Sequence, residues 1–192
     1  VTLDQGRPYL PQSISLGEGL ADATLKAMAK AYPLEVVPAE ARFLTVAVDV
    51  QAHRFVVHVD AWGPGLERWL IDRQEIVLPP ADAPGAAKRA IDPARYFEDW
   101  AVLPALLERA YPVEGTDHEL RPVAMIVDSA GSAGVTEKAY QFYRTQRAAG
   151  NARRVFLNKG VGGFDRDRAR YGEPEKILQR KRAKRSDIRL IY

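Results

Sequence analysis

The sequence predicts an α/β fold built on a mixed sheet: three antiparallel strands, then two parallel strands reached through helical crossovers, with helices on both faces. Three observations predict it. Two runs, residues 43–49 and 123–128, are almost wholly apolar, which marks central strands buried on both sides. Residues 54–62 alternate instead, with Phe55, Val57, Val59 and Ala61 on one side and Arg54, His58 and Asp60 on the other. Segments with helical spacing precede and follow the second apolar run.

Each element follows in order. Residues 1–17 read as a linker, with Pro8, Pro11 and Gly17 and few apolar anchors. Residues 18–32 can form an amphipathic helix carrying Leu25, Met28, Ala29 and Tyr32 on one stripe, which Pro33 stops. Residues 34–42 return to irregular chain, so residues 1–41 are assigned as linker and helix, and 42–192 as the main domain. The first strand spans 43–50 and the second 54–62. Gly63-Pro64-Gly65 makes a turn, and residues 67–78 form the third strand. Short connections make these three an antiparallel meander.

A Pro/Ala/Gly-rich loop covers 79–91. Asp92-Pro93 is a helix start, with Asp as N-cap and Pro at the first helical position. Tyr96, Trp100, Leu103, Leu107 and Ala110 form that helix's apolar stripe, and Pro104 kinks or splits it. The fourth strand is 122–128. A helix follows at 135–148, with Ala139, Phe142, Tyr143 and Gln146 on one side and Gly150 as its stop. Residues 154–157 make a fifth strand. Right-handed crossovers then place strand four beside strand one. That strand order is the layout of the RNase H-like fold.

Composition narrows the chemistry. A chain of 192 residues has the length for one domain with a real core. It contains no Cys, which excludes disulfides, Cys-ligated zinc and thiol catalysis and suits a reducing cytosol. No apolar run approaches the ~20 residues needed to span a bilayer, and no signal-peptide pattern opens the chain. The net charge of +3 conceals an asymmetry. Residues 140–192 hold 15 Lys and Arg against 5 Asp and Glu, while the rest holds 13 against 20. An acidic body with a basic C-terminal third suits a protein that binds cations in one part and phosphates in another; the plainer reading is a solvated basic tail.

Asp49 and Asp128 end the two apolar runs. A carboxylate beside so much apolar surface is costly unless compensated. Two carboxylates on neighbouring strands commonly hold a divalent cation, and oxygen ligands favour Mg²⁺ or Mn²⁺. The simpler alternative is that each Asp caps a turn. Lys159, Arg180, Lys181, Arg182, Lys184 and Arg185 are the candidate contacts to a phosphate backbone, giving affinity without sequence information. Asp72 reads as structural, and His53, His58 and His118 as surface residues. Ser129 lacks a nucleophile-elbow pattern, which argues against a serine hydrolase.

Four segments together resemble the nuclease domain of the large terminase subunit of tailed phages, of the lambda type. They are Tyr32-Pro33 and Val37-Pro38 ahead of Leu44-Thr-Val-Ala-Val-Asp49-Val-Gln51; Trp62-Gly-Pro-Gly65 with Glu67-Arg-Trp-Leu-Ile-Asp72-Arg-Gln74; Ile126-Val-Asp128-Ser-Ala-Gly131; and Asn158-Lys159-Gly160. The resemblance is close over residues 32–160. Ala130 departs from the Gly of the family's usual Asp-Ser/Thr-Gly-Gly.

The resemblance implies an RNase H-like endonuclease that cuts concatemeric double-stranded DNA during packaging into a procapsid. Asp49 matches the family's first-strand Asp and Asp128 its second. In a two-metal phosphodiester hydrolysis, Asp49 would be shared by both ions and Asp128 would hold one. A third acid normally follows a later strand. Residues 187–192 look like the start of that strand, so the third acid is expected beyond Tyr192, with slow, Mn²⁺-preferring cleavage by this stretch alone. The family's ATPase precedes the nuclease in the same full-length chain; no Gly-x-x-x-x-Gly-Lys-Ser/Thr loop occurs here. The implied partners are DNA, that ATPase domain, the small terminase subunit and the portal of the procapsid, with no membrane, in the host cytoplasm. Two alternatives stay open: an RNase H-like resolvase or integrase, and a DNA-gripping module silent as a nuclease in isolation.

Overall fold

The computed structural model describes residues 32–131, 133–160, 171–172 and 188–191. The chain divides into two compact units, residues 1–32 and 33–192, and the fold described is that of the second. The linker over 1–17 and the helix expected over 18–32 lie outside the described residues, Tyr32 excepted.

Three strands open the sheet: β1 (Phe43–Gln51), β2 (Arg54–Trp62) and β3 (Arg68–Ile76). They form the expected antiparallel meander, and the β1–β2 hairpin closes on the pair Gln51 and Arg54. Two short strands, β4 (Tyr111–Pro112) and β5 (Glu119–Leu120), pair as a separate ribbon. β6 (Pro122–Asp128) then returns parallel to β1, and β7 (Val155–Asn158) lies parallel to β6. Beyond them, β9 (Leu190–Ile191) runs parallel to β7, and β8 (Tyr171–Gly172) pairs antiparallel with β9. Among the described residues the order is β3-β2-β1-β6-β7-β9-β8, a seven-stranded mixed sheet. It is wider than the expected five strands, because pairs of two residues carry no period that a sequence reading can detect.

Strand alternation sets the core. Leu44, Val46 and Val48 of β1, Phe55, Val57 and Val59 of β2, and Met125 and Val127 of β6 are buried. Over this face lie residues 97–102 and the helix α2 (Val135–Ala148), which is numbered after the single turn α1 (Ala105–Glu108). Trp100 is the centrepiece. Its ring meets Phe55 edge-on at 5.4 Å and Phe142 of α2 at 5.5 Å. Its indole N–H donates to the Pro93 carbonyl at 3.0 Å, so the buried polar atom is satisfied. Helices on both faces had been expected; among the described residues, α2 and the 97–102 segment both cover the Phe55 face.

The helix expected from Asp92 is corrected. Asp92 does cap a turn, its Oδ1 accepting the Arg95 N–H at 3.1 Å. The chain then forms a 3-10 segment over Phe97–Val102 before α1, with Pro104 between them. The cause is Asp99. Its buried carboxylate accepts the Asp92 N–H at 2.7 Å and both Arg89 nitrogens at 2.6 Å, folding the segment back on its own start. Pro104 divides the helical residues as expected.

Gly63 explains the Trp62-Gly-Pro-Gly turn. A Cβ placed there would stand 2.8 Å from the Trp69 ring, so only glycine lets that ring pack across the hairpin. Gly65 supplies the left-handed φ of 67° that the same turn requires.

Candidate active site

β1, β6 and β7 run parallel, so their C-terminal ends lie side by side. In open α/β sheets this is the edge at which ligands bind. The β1–β6 register runs to Val48 opposite Val127, both buried. Asp49 and Asp128 are the next residues along each strand, and alternation turns both to the face opposite the Phe55 core. The pairing of β6 with β7 sets Asn158 directly beside Asp128. Asp49 is exposed, while Asp128 and Asn158 are half-buried.

The aspartates of this domain differ in what faces them. Asp72 is buried and receives Arg109 Nη1 at 2.8 Å and the Tyr111 hydroxyl at 3.0 Å. Arg109 also reaches Glu35 at 2.6 Å. Asp72 is therefore a structural anchor of β3, in agreement with its reading from sequence. Asp99 is held by Arg89, and Asp60 lies 3.5 Å from Arg68. Among the described residues, neither Asp49 nor Asp128 has an ion-pair partner. Each instead receives one neutral donor. Gln51 Nε2 donates to Asp49 Oδ2 at 2.8 Å, and the Ala130 N–H donates to Asp128 Oδ1 at 2.9 Å.

The loop after Asp128 is built to hold it. Ser129 is fully buried. Its hydroxyl and its N–H both donate to the Asn158 carbonyl, at 2.7 and 2.8 Å. Thr136, in the first turn of α2, donates to the Ser129 carbonyl at 2.8 Å. Ala130, which stands where the family's pattern has Gly, is not among the residues with positive φ, so a side chain fits there.

Other candidates fall as follows. Lys159 is half-buried at the end of β7, where its N–H donates to the Ile191 carbonyl at 2.8 Å. Arg180, Lys181, Arg182, Lys184 and Arg185 lie outside the described residues. His53 and His118 are exposed, and His58 is half-buried on β2. Asn158, which pairs with Asp128, was not among the candidates from sequence. Its only signal in the sequence was the Asn158-Lys159-Gly160 segment, and its place beside Asp128 depends on strand pairing.

For a divalent cation, the donor set offers two carboxylates and one carboxamide oxygen, all hard ligands suited to Mg²⁺ or Mn²⁺. No cluster of three acidic or His side chains occurs among the described residues. A cation held here would have few ligands from the described residues, and Mg²⁺ keeps several waters in such sites.

The structure is thus a mixed α/β domain with two acids at the C-terminal edge of its parallel strands. The chain belongs to the family described as terminase large subunit gpA, endonuclease domain, which matches residues 1–192. It is also similar to the terminase large subunit of Escherichia phage lambda, 43% identical over 56 residues. That stretch covers 29% of this chain and 9% of the phage protein. No solved structure matches the chain. None of the helices among the described residues is long and apolar enough to cross a membrane.

Proposed function

We propose that this chain is the metal-dependent endonuclease domain of a DNA-packaging terminase, RNase H-like in fold, cutting concatemeric double-stranded DNA. The observation that carries the reading is the placement of Asp49 beside Asp128, two carboxylates without a basic partner among the described residues. Membership of the endonuclease family supports it.

Asp49 and Asp128 would hold the cation, with the Asn158 carboxamide oxygen as a neutral third donor. Mg²⁺ or Mn²⁺ bound there would lower the pKa of a coordinated water and offset charge at the scissile phosphate; a two-ion arrangement would share Asp49. The chain's own part is to bring the two carboxylates to one edge of the sheet and fix them there. Ser129 and Thr136 do this for Asp128 by tying its loop to β7 and α2. Lys159, which follows Asn158 at the end of β7, would contribute a contact to a phosphate of the bound strand. The ATPase domain of the full-length protein, the small terminase subunit and the portal are its proposed partners, in the host cytoplasm.

Conversion of supercoiled plasmid to nicked and linear forms tests the proposal, with Mg²⁺, Mn²⁺ or EDTA present. Cleavage with either metal and none with EDTA is the expected result. DNA binding without cleavage under every metal condition would make the chain a DNA-gripping module instead.

A further inference from the structure

The β1–β2 hairpin tip carries an ordered polar relay. Gln51 Nε2 donates to Asp49 Oδ2 at 2.8 Å, and Arg54 Nε donates to Gln51 Oε1 at 2.9 Å. Arg54 Nη1 lies 3.5 Å from Glu75, and Arg73 reaches the same carboxylate at 3.2 Å. The chemistry of the two ends fixes the amide's orientation. A guanidinium can only donate and an ionised carboxylate can only accept. Gln51 must therefore turn its oxygen to Arg54 and its NH₂ to Asp49. Gln51 and Arg54 are the last pair before the turn, so the relay is anchored on paired backbone.

We propose that Gln51 is a positioning residue for Asp49, holding Oδ2 so that Oδ1 is presented for a cation. This rests on the reading of Asp49 as a cation ligand. Asp49 is exposed at a strand end, where its carboxylate is free to rotate unless something holds it. An arginine or lysine in place of Gln51 would also hold it, but would add a positive charge that competes with the cation. A neutral amide orients the carboxylate and leaves its charge available. Asp128 is treated alike, since the donor to its Oδ1 is the neutral Ala130 N–H. Outer partners of metal ligands act in this way generally, fixing the ligand's orientation. Arg54 acts one step further out, by keeping the amide from turning over.

The test is Mn²⁺ affinity of the 192-residue chain, read from the EPR signal of free Mn²⁺, together with the metal-free thermal midpoint. The variants are Gln51→Met, which keeps the length and loses the donor, Arg54→Ala, and Asp49→Asn as control. Gln51→Met should weaken Mn²⁺ binding about tenfold, the lower end of what loss of a metal ligand's outer partner costs, with the metal-free midpoint unchanged. Arg54→Ala should shift affinity in the same direction by less. If Gln51→Met misfolds, Arg54→Ala carries the test alone. Wild-type affinity in Gln51→Met, or in Arg54→Ala where that variant stands alone, overturns the inference and leaves the cation site intact, provided Asp49→Asn binds weakly. Wild-type affinity in Asp49→Asn would remove the cation site itself, and the inference with it.

Discussion

Asp72 on β3 and Asp49 on β1, with β2 between them, show how one residue type meets opposite surroundings in one sheet. Asp72 faces Arg109 and the Tyr111 hydroxyl, whereas Asp49 faces a neutral amide. Burial first, and then the Asp72 charge, push the Tyr111 phenol above its usual range, against a smaller opposing pull from Arg109. A raised folded pKa contributes stability that is complete below the unfolded value of about 10 and is lost as pH rises through the folded one. Tyr111→Phe should therefore cost about 1 kcal/mol near neutrality, through the lost hydrogen bond to Asp72. The gap between wild type and variant should close by up to about 1.4 kcal/mol per pH unit above about pH 10. Urea unfolding at two pH values reads this directly, and a gap that widens with alkalinity would contradict it. At this scale the sequence singled out Asp49 and Asp128 as candidates because a long apolar run ends at each. It could not reveal the Arg89–Asp99 pair, nor that Gln51 turns its amide toward Asp49. Those depend on loop paths and rotamers that no period encodes.

Elements with one dominant driving force were readable. β1 and β6 are continuous apolar runs, β2 alternates, and α2 keeps a helical stripe through Ala139, Phe142 and Tyr143. The region between Asp92 and Arg109 was not, because its apolar stripe fits a helix while Asp99 serves the Asp92 N–H and Arg89 instead. Side-chain capture of a backbone donor competes with regular helix, and here it won. The Trp62–Glu67 turn offers a stability test of element packing. Gly63→Ala would drive a methyl group against the Trp69 ring, at 2.8 Å from its nearest carbons. Overpacking of this kind costs about 1–3 kcal/mol. Thermal unfolding should show the loss, and Gly63→Ala should cost less in a Trp69→Leu background, where the obstructing ring is gone. Equal stability of Gly63→Ala and wild type would mean that the ring moves aside freely.

Across the whole molecule, charge divides along the sequence, with the basic excess in residues 140–192. Duplex binding should be non-specific, with Kd roughly 10⁻⁴–10⁻⁶ M at physiological salt. Lys181→Ala/Arg182→Ala should lower the log–log salt slope by about 2 and weaken all sequences alike. An unchanged slope would make that run a solvated tail and move the DNA path toward Lys159. The sheet's centre was legible because strand order follows from connection lengths and crossover handedness. Its far edge was not, since β8 and β9 contribute two residues each. The paired carboxylates at the sheet's C-terminal edge remain the account's core. The direct measurement is the rate of Mn²⁺-dependent plasmid cleavage by Asp49→Asn and Asp128→Asn, with folding verified by circular dichroism. Changes to outer partners of metal ligands typically cost 10–100-fold, so removing a ligand charge should cost about 100-fold or more. Cleavage by a folded Asp49→Asn at the wild-type rate would contradict the assignment.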